Sequence, residues 1–249
     1  MNINAPVPAL YPQLKSLWQQ AFGDTPAFID GFFAKGFSPE RCRCIAIDGA
    51  VAAALYWFDA KKDGENFAYI YAVATEKSHR GQGLCRRLMT DTHSHLQSSG
   101  YTGAVLVPAE PGLWDYYSTM GYRPFGRSDT FAREAAAPIA LEQISAREYL
   151  AQRNAYLPQS SLDETQSICY YGTWGNFYRG SDCLFAAAID DGVLYAQEFL
   201  GDPAQAGAVV AALACEKGHF RTPGSASPCG MYLLFAPAEA PDYLGFPLD

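Results

Sequence analysis

The sequence has little of what would tie it to a nucleic acid, a membrane or a metal ion. Its 249 residues carry 18 Lys and Arg against 26 Asp and Glu, a formal charge of -8. The clustered cationic surface that binds a phosphate backbone or an anionic bilayer is therefore missing. The four His and seven Cys offer little for a metal: the cysteines stand at 42, 44, 85, 169, 183, 215 and 229 with no C-x-x-C pair. Cys42 and Cys44 share a face of an extended segment but lack two further ligands, so the thiols are read as reduced and structural. The longest apolar run, Ile45 to Phe58, is interrupted by Asp48 and falls short of the roughly 20 residues that cross a bilayer. The amino-terminal stretch MNINAPVPALYPQLKSLW has neither a basic nor an apolar leader region. Together these absences lead us to expect a cytoplasmic protein without nucleic-acid, membrane or metal partners. With 49% hydrophobic and 18% charged residues, the chain is an ordinary globular one, long enough for one large domain or two modest ones.

Hydrophobic periodicity organises the first half. Leu10 to Phe22 and Pro26 to Phe37 have helical spacing and are punctuated by Gly23 and Gly36. Strands are expected over Arg41 to Ile47 and Val51 to Phe58, joined at Asp48-Gly49, a hairpin dipeptide. DAKKDGEN reads as a polar linker before a strand over Phe67 to Thr75. Gln82 to Ser99 follows as an amphipathic helix stopped by Gly100, then a strand at Thr102 to Val107, a helix at Pro111 to Met120 and an extended segment at Tyr122 to Phe131. This order predicts a mixed α/β sheet with helices on both faces. REAAAPIALEQISAREY marks a boundary, giving domains over 1–133 and 138–249. The second half reads as a hairpin from Cys183 to Phe199 turning at Asp190-Asp191-Gly192, a helix at Pro203 to Cys215, and strands near His219 to Thr222 and Met231 to Phe235. VPAEPGLWDYYSTMGYRPF and APAEAPDYLGFPLD echo each other, which leaves both a degenerate repeat and a chance match open.

One stretch carries chemistry. In VATEKSHRGQGLCRRLM, Gly81 and Gly83 bracket Gln82 between a strand and a helix. The first amides of a helix lack intrahelical partners and point along its axis, so an anion there gains several backbone hydrogen bonds, each of about 1.5–3 kcal/mol to a charged group. Close approach of a phosphate needs residues without Cβ, and Arg80 adds a cation just before the turn. A dinucleotide fingerprint would need Gly at 86, where Arg86 stands, and no Walker Gly-Lys-Ser/Thr is present.

AVATEKSHRGQGLCRRLM resembles the acyl-CoA motif [QR]-x-x-G-x-[GA] of the GCN5-related N-acetyltransferases (GNAT), with Arg80 first, Gly83 fourth and Cys85 where the family has Gly or Ala. The resemblance, which covers roughly residues 9–130, implies a GNAT-like fold, acetyl-CoA as cosubstrate, strand backbone at Val73, Ala74 and Thr75 on its pantetheine arm, and amides from Gly81, Gln82, Gly83, Leu84 and Cys85 on its pyrophosphate. WDYYSTMGYRPF is similar to the family's F-Y-x-x-x-G-F segment and puts Tyr117 on the tyrosine that protonates the leaving thiolate, while Glu110 stands where many members have Asn. The implied activity is transfer of an acetyl group to a primary amine of a small molecule or peptide by direct attack; the alternative is an acyl-CoA binding or sensing module. The second half lacks the motif, since EFLGDPAQAGAVV passes through Gly201, Asp202 and Pro203. The resemblance implies a smaller, degenerate and non-catalytic GNAT-like copy that closes the acceptor cleft or forms a homodimer interface. Tyr56, Trp57, Phe58, Tyr69 and Tyr71 lie on strands expected to flank that cleft, Glu65 and Glu110 are the nearby carboxylates, and His79, His93 and His95 are read as solvated.

Overall fold

A computed structural model of the chain describes residues 3–157 and 161–248. It divides into two compact units, each discontinuous in sequence: residues up to 123 with 231–240 and Leu248, and residues 124–230 with 241–247.

The first unit begins with β1 (Ile3–Asn4), α1 (Tyr11–Phe22) and α2 (Pro26–Lys35). Gly23, at φ 78°, ends α1, and the Thr25 hydroxyl accepts from Phe28 N to cap α2. Next come β2 (Cys42–Ile47), β3 (Ala50–Lys62), β4 (Glu65–Thr75), α3 (Leu84–Ser98), β5 (Gly103–Leu106), α4 (Pro111–Ser118) and β6 (Arg123–Phe125). The linker expected after Phe58 shrinks to Asp63-Gly64, because this dipeptide supplies the two positive φ values (52° and 85°) of a tight hairpin and the ladder runs on to Lys62 and Glu65. The sheet is covered on both faces. On one, Leu84, Leu88, Met89 and Leu96 of α3 pack with Trp57, Ile70 and Leu106. On the other, Trp18 of α1 stacks near Phe32 of α2 at 4.6 Å, and Phe32 meets Tyr56 at 5.2 Å.

The second unit contains β7 (Ser128–Glu134), β8 (Glu142–Ile144), α5 (Ala146–Arg153), α6 (Thr165–Tyr171), β9 (Asn176–Arg179), β10 (Cys183–Asp190), β11 (Val193–Gly201), α7 (Ala206–Ala212) and β12 (Lys217–Pro223). Of these, β8, α6 and β9 are too short to stand out in the sequence. The helix expected from Pro203 to Cys215 is a 3-10 turn at Pro203–Gln205 followed by the shorter α7.

The last strand, β13 (Gly230–Leu234), does not stay with the second half, where the sequence placed it: it pairs antiparallel with β5, Tyr232 opposite Val105. In return β7 pairs antiparallel with β12, Thr130 opposite Arg221. The sheets run β1-β2-β3-β4-β5-β13-β6 and β7-β12-β11-β10-β9-β8. This exchange puts the division at 123/124 rather than over 133–138 and splits the extended run expected at 122–131, with Gly126 turning at φ 60°. The order strand, two helices, three strands, helix, strand occurs in both halves. Both also carry an antiparallel hairpin followed by a parallel neighbour, β3-β4-β5 and β10-β11-β12.

Candidate functional site

After β4 ends at Thr75, a 3-10 turn at Lys77–His79 is held by Glu76, whose carboxylate accepts from Ser78 N at 2.8 Å, from the Ser78 hydroxyl, and meets His79 Nδ1 at 2.9 Å. These contacts, Ser78 first and then His79, hold the Glu76 carboxyl down to about 2. His79 is thereby held to the turn, with its side chain still partly in solvent. Gly81 and Gly83 both have φ +75°, and a Cβ on either would meet nothing within 4 Å. The left-handed dihedral favours glycine at both positions, and the space beside their backbone is open. Gly83 is the N-cap of α3 and has no side-chain cap, which leaves the first amides of a 15-residue helix without a protein side-chain acceptor. Arg80 Nε donates to Thr75 O at 3.0 Å and Gln82 Nε2 to Ser78 O at 3.2 Å, bracing the turn from both sides. Leu84 is buried in the core. Cys85 shares a hydrogen bond with Tyr116, and burial raises its thiol above the ordinary range.

Alongside the turn, β4 and β5 part. Their parallel pairing covers only Phe67–Gly103, Ala68–Ala104 and Tyr69–Val105. Opposite β3, Ala54 pairs with Ala74 and Tyr56 with Tyr71, so Ala72 and Val73 bulge against Leu55, with Ala72 at φ 48°. The bulge turns backbone of β4 toward the gap. Thr75 and Ala74 rejoin the ladder opposite Ala53 and Ala54.

A cavity of about 230 Å³ occupies the gap. Trp18, Phe22 and Asp24 from the end of α1 wall one side, Tyr69 to Val73 of β4 another, and Leu106, Val107, Leu113 and Tyr117 the third, with Leu248 completing it. Tyr117 is 6% exposed, and its hydroxyl has no hydrogen-bond partner among the described residues. Burial, with Cys85 and Tyr116 beside it, pushes the phenol well above its usual value, so it keeps its proton. Behind it, Tyr122 packs at 5.8 Å and bonds His93 Nε2 at 2.9 Å. Burial takes His93 down to about 4, correcting its reading as a solvated residue.

The expected cleft residues divide. Tyr69 and Tyr71 line the cavity, whereas Tyr56, Trp57 and Phe58 do not. Glu65 accepts from Thr102 beside the β4-β5 pairing, and Glu110 is the exposed N-cap of α4; neither reaches the cavity. Among the described residues the one carboxylate that lines it is Asp24, which is hidden in the sequence because it looks like part of a helix-breaking Gly-Asp turn. Among the described residues no Ser, Cys, Thr, Lys or His lines the cavity, and no group of three His, Cys, Asp or Glu could hold a metal.

In the second unit the corresponding parts are closed. The turn after β11 has Asp202, whose carboxylate caps its own loop at Ala204 N (2.9 Å), in place of open amides. Pairing of β11 with β12 stops at Ala196–Phe220, and β11 bulges at Gln197. The gap beyond is filled by residues 243–247: Arg221 donates to Leu244 O at 2.8 Å and to Gly245 O at 3.0 Å, and Gln197 to Pro247 O. Glu164, fully buried, accepts from Gly245 N at 2.8 Å and Phe246 N at 2.9 Å, while Arg153 joins Glu164 at 2.6 Å and Glu198 at 2.7 Å.

Comparison with known proteins fits this geometry. Residues 6–125 match the family model of the acetyltransferase (GNAT) domain. A search of curated proteins finds no match. Among solved structures, a GCN5-related N-acetyltransferase from Anabaena variabilis is similar at 18% identity and TM-score 0.69, covering 89% of this chain and 66% of that one. One from Kribbella flavida has 18% identity and TM-score 0.66, covering 88% and 63%. A Pyrococcus horikoshii protein of 10% identity covers 98% of this chain and 92% of its own at TM-score 0.67. These likenesses are of fold, and this chain spans just under two thirds of the length of the first two, at 66% and 63%.

Proposed function

We propose, from the premise that residues 6–125 belong to the GNAT acetyltransferase family, that the chain is an acetyl-CoA-dependent N-acetyltransferase acting on a primary amine. The observation that carries this is the joint placement of the open Gly81-Gln82-Gly83 turn, the parted β4 and β5, and the Tyr117 hydroxyl in the gap. The open space at both glycines and the uncapped start of α3 fit a pyrophosphate, held by the amides from Gly81 to Cys85 with Arg80 beside them. In this reading the backbone of Val73, Ala74 and Thr75 bonds the pantetheine arm. When bound, acetyl-CoA supplies an activated acyl group on a thiol.

The chain's own part is to bind, orient and manage protons. With no Ser, Cys, Thr or Lys on the cavity walls, the arrangement favours direct attack: the amine nitrogen bonds to the acyl carbon, the carbon–sulfur bond breaks, and Tyr117 gives its phenolic proton to the departing sulfur. The amine attacks in its neutral form, its ammonium proton having gone to solvent, and the proton it loses on forming the amide returns through solvent to restore the Tyr117 phenol. The second unit reads as a degenerate, non-catalytic copy whose gap its own residues 243–247 occupy. Acetylation of amines in a panel, followed by mass, tests the reading. Acetyl-CoA binding without transfer to any amine would instead identify a binding or sensing module.

A further inference from the structure

We propose that the acceptor is a small monoamine with an aromatic or apolar body, and that Asp24 is the residue that recognises its ammonium group; this rests on the transferase reading above. Among the described residues, Asp24 is the one carboxylate on the cavity wall, and no Lys, Arg or His stands there to neutralise it. Its Oδ2 accepts from Trp18 Nε1 at 2.7 Å, which fixes the side chain at the end of α1. Its other oxygen has no partner among the described residues. An anion positioned in this way attracts a single cation.

The rest of the wall says what that cation is attached to. Trp18, Phe22, Tyr69 and Tyr71 line the same cavity, with Trp18 edge-on to Tyr71 at 5.4 Å. Phe22 is 45% exposed, an unusual position for a large apolar side chain, and forms the solvent edge. Tyr69 is fixed by its hydroxyl, which accepts from Leu248 N at 2.8 Å. Aromatic faces favour both a cation and a flat apolar body.

The same wall excludes two other kinds of amine. A polyamine would bring further ammonium groups past Asp24 into a region with no second carboxylate, and an unpaired charge is costly to desolvate. A free amino acid would bring a carboxylate toward Asp24 with no cation to receive it. The cavity of about 230 Å³ must also take the acyl end of the cosubstrate beside Tyr117, which limits the acceptor body to a small one.

The test is calorimetric binding of phenethylamine, spermine and phenylalanine to the full chain in the presence of CoA, which reads recognition without requiring turnover. Phenethylamine is expected to bind about tenfold or more tighter than the other two. Asp24→Asn keeps an oxygen for the Trp18 N–H but removes the charge, and is expected to weaken phenethylamine about tenfold while Asp24→Glu recovers part of the loss. Tighter binding of spermine or phenylalanine, no binding of phenethylamine, or an unchanged affinity in Asp24→Asn would overturn the proposal. Binding of phenethylamine with no acetylation of it would leave this recognition standing and remove the transferase reading instead.

Discussion

Tyr117 holds a phenolic proton for which there is no acceptor among the described residues, in a cavity that burial makes unfavourable for the phenolate. In the proposed transfer this is the proton available to the departing sulfur. Tyr117→Phe should therefore lower kcat by about two to four orders of magnitude and leave acetyl-CoA affinity nearly unchanged; equal loss in both would return Tyr117 to the core. His93 titrates with the opposite logic. Its folded value of about 4 lies below the ordinary 6.5, so the unfolded chain binds the extra proton between those values. Stability is full above pH 6.5, falls as pH drops toward 4, and loses at most about 1.4 kcal/mol per pH unit from this residue. Urea melts of wild type and His93→Gln across that range should show the slope in the first and a shallower one in the second.

Among the elements, the turn from Arg80 to Cys85 was legible in sequence because its requirement is local: two positive φ values before a helix call for glycine, and both are found at +75°. The same holds for Asp48-Gly49 and Asp63-Gly64, although the second was hidden inside a polar stretch that looked like a linker. Asp24 was not legible, since its place beside Tyr69 to Val73 follows only from α1 returning over β4, some 45 residues on. The strand exchange was hidden for a related reason: Met231 to Leu234 and Ser128 to Glu134 are ordinary apolar or alternating runs, and nothing in them names the sheet they join. Gly83 carries the clearest prediction at this scale. Gly83→Ala should retain the fold at a cost of about 1 kcal/mol for the left-handed backbone and weaken acetyl-CoA, because the methyl group enters the open side of the turn. Differential scanning fluorimetry with and without acetyl-CoA separates the two effects.

At the scale of the whole molecule, one half of the chain keeps a gap open and the other fills its own. Filling it takes a fully buried Arg153 with Glu164 and Glu198, a net charge kept inside by six hydrogen bonds from Arg153, Tyr149, Gly245 and Phe246. Arg153→Met should destabilise the second unit by about 3–5 kcal/mol, since it strands two buried carboxylates. Gly245→Ala should do so as well, because its Cβ would lie 1.8 Å from Glu198 Oε1. Chemical denaturation followed by circular dichroism checks both, and an unchanged midpoint in either would show that residues 243–247 are held some other way.

We propose that a single acetyl-CoA binds at the turn that opens α3. Isothermal titration calorimetry of the full chain tests it directly. One acetyl-CoA per chain is expected in the wild type and none in Gly83→Glu, whose carboxylate would face the same amides, with the variant's far-ultraviolet spectrum preserved. No binding to the wild type, two sites per chain, or undiminished binding by a folded Gly83→Glu would contradict it.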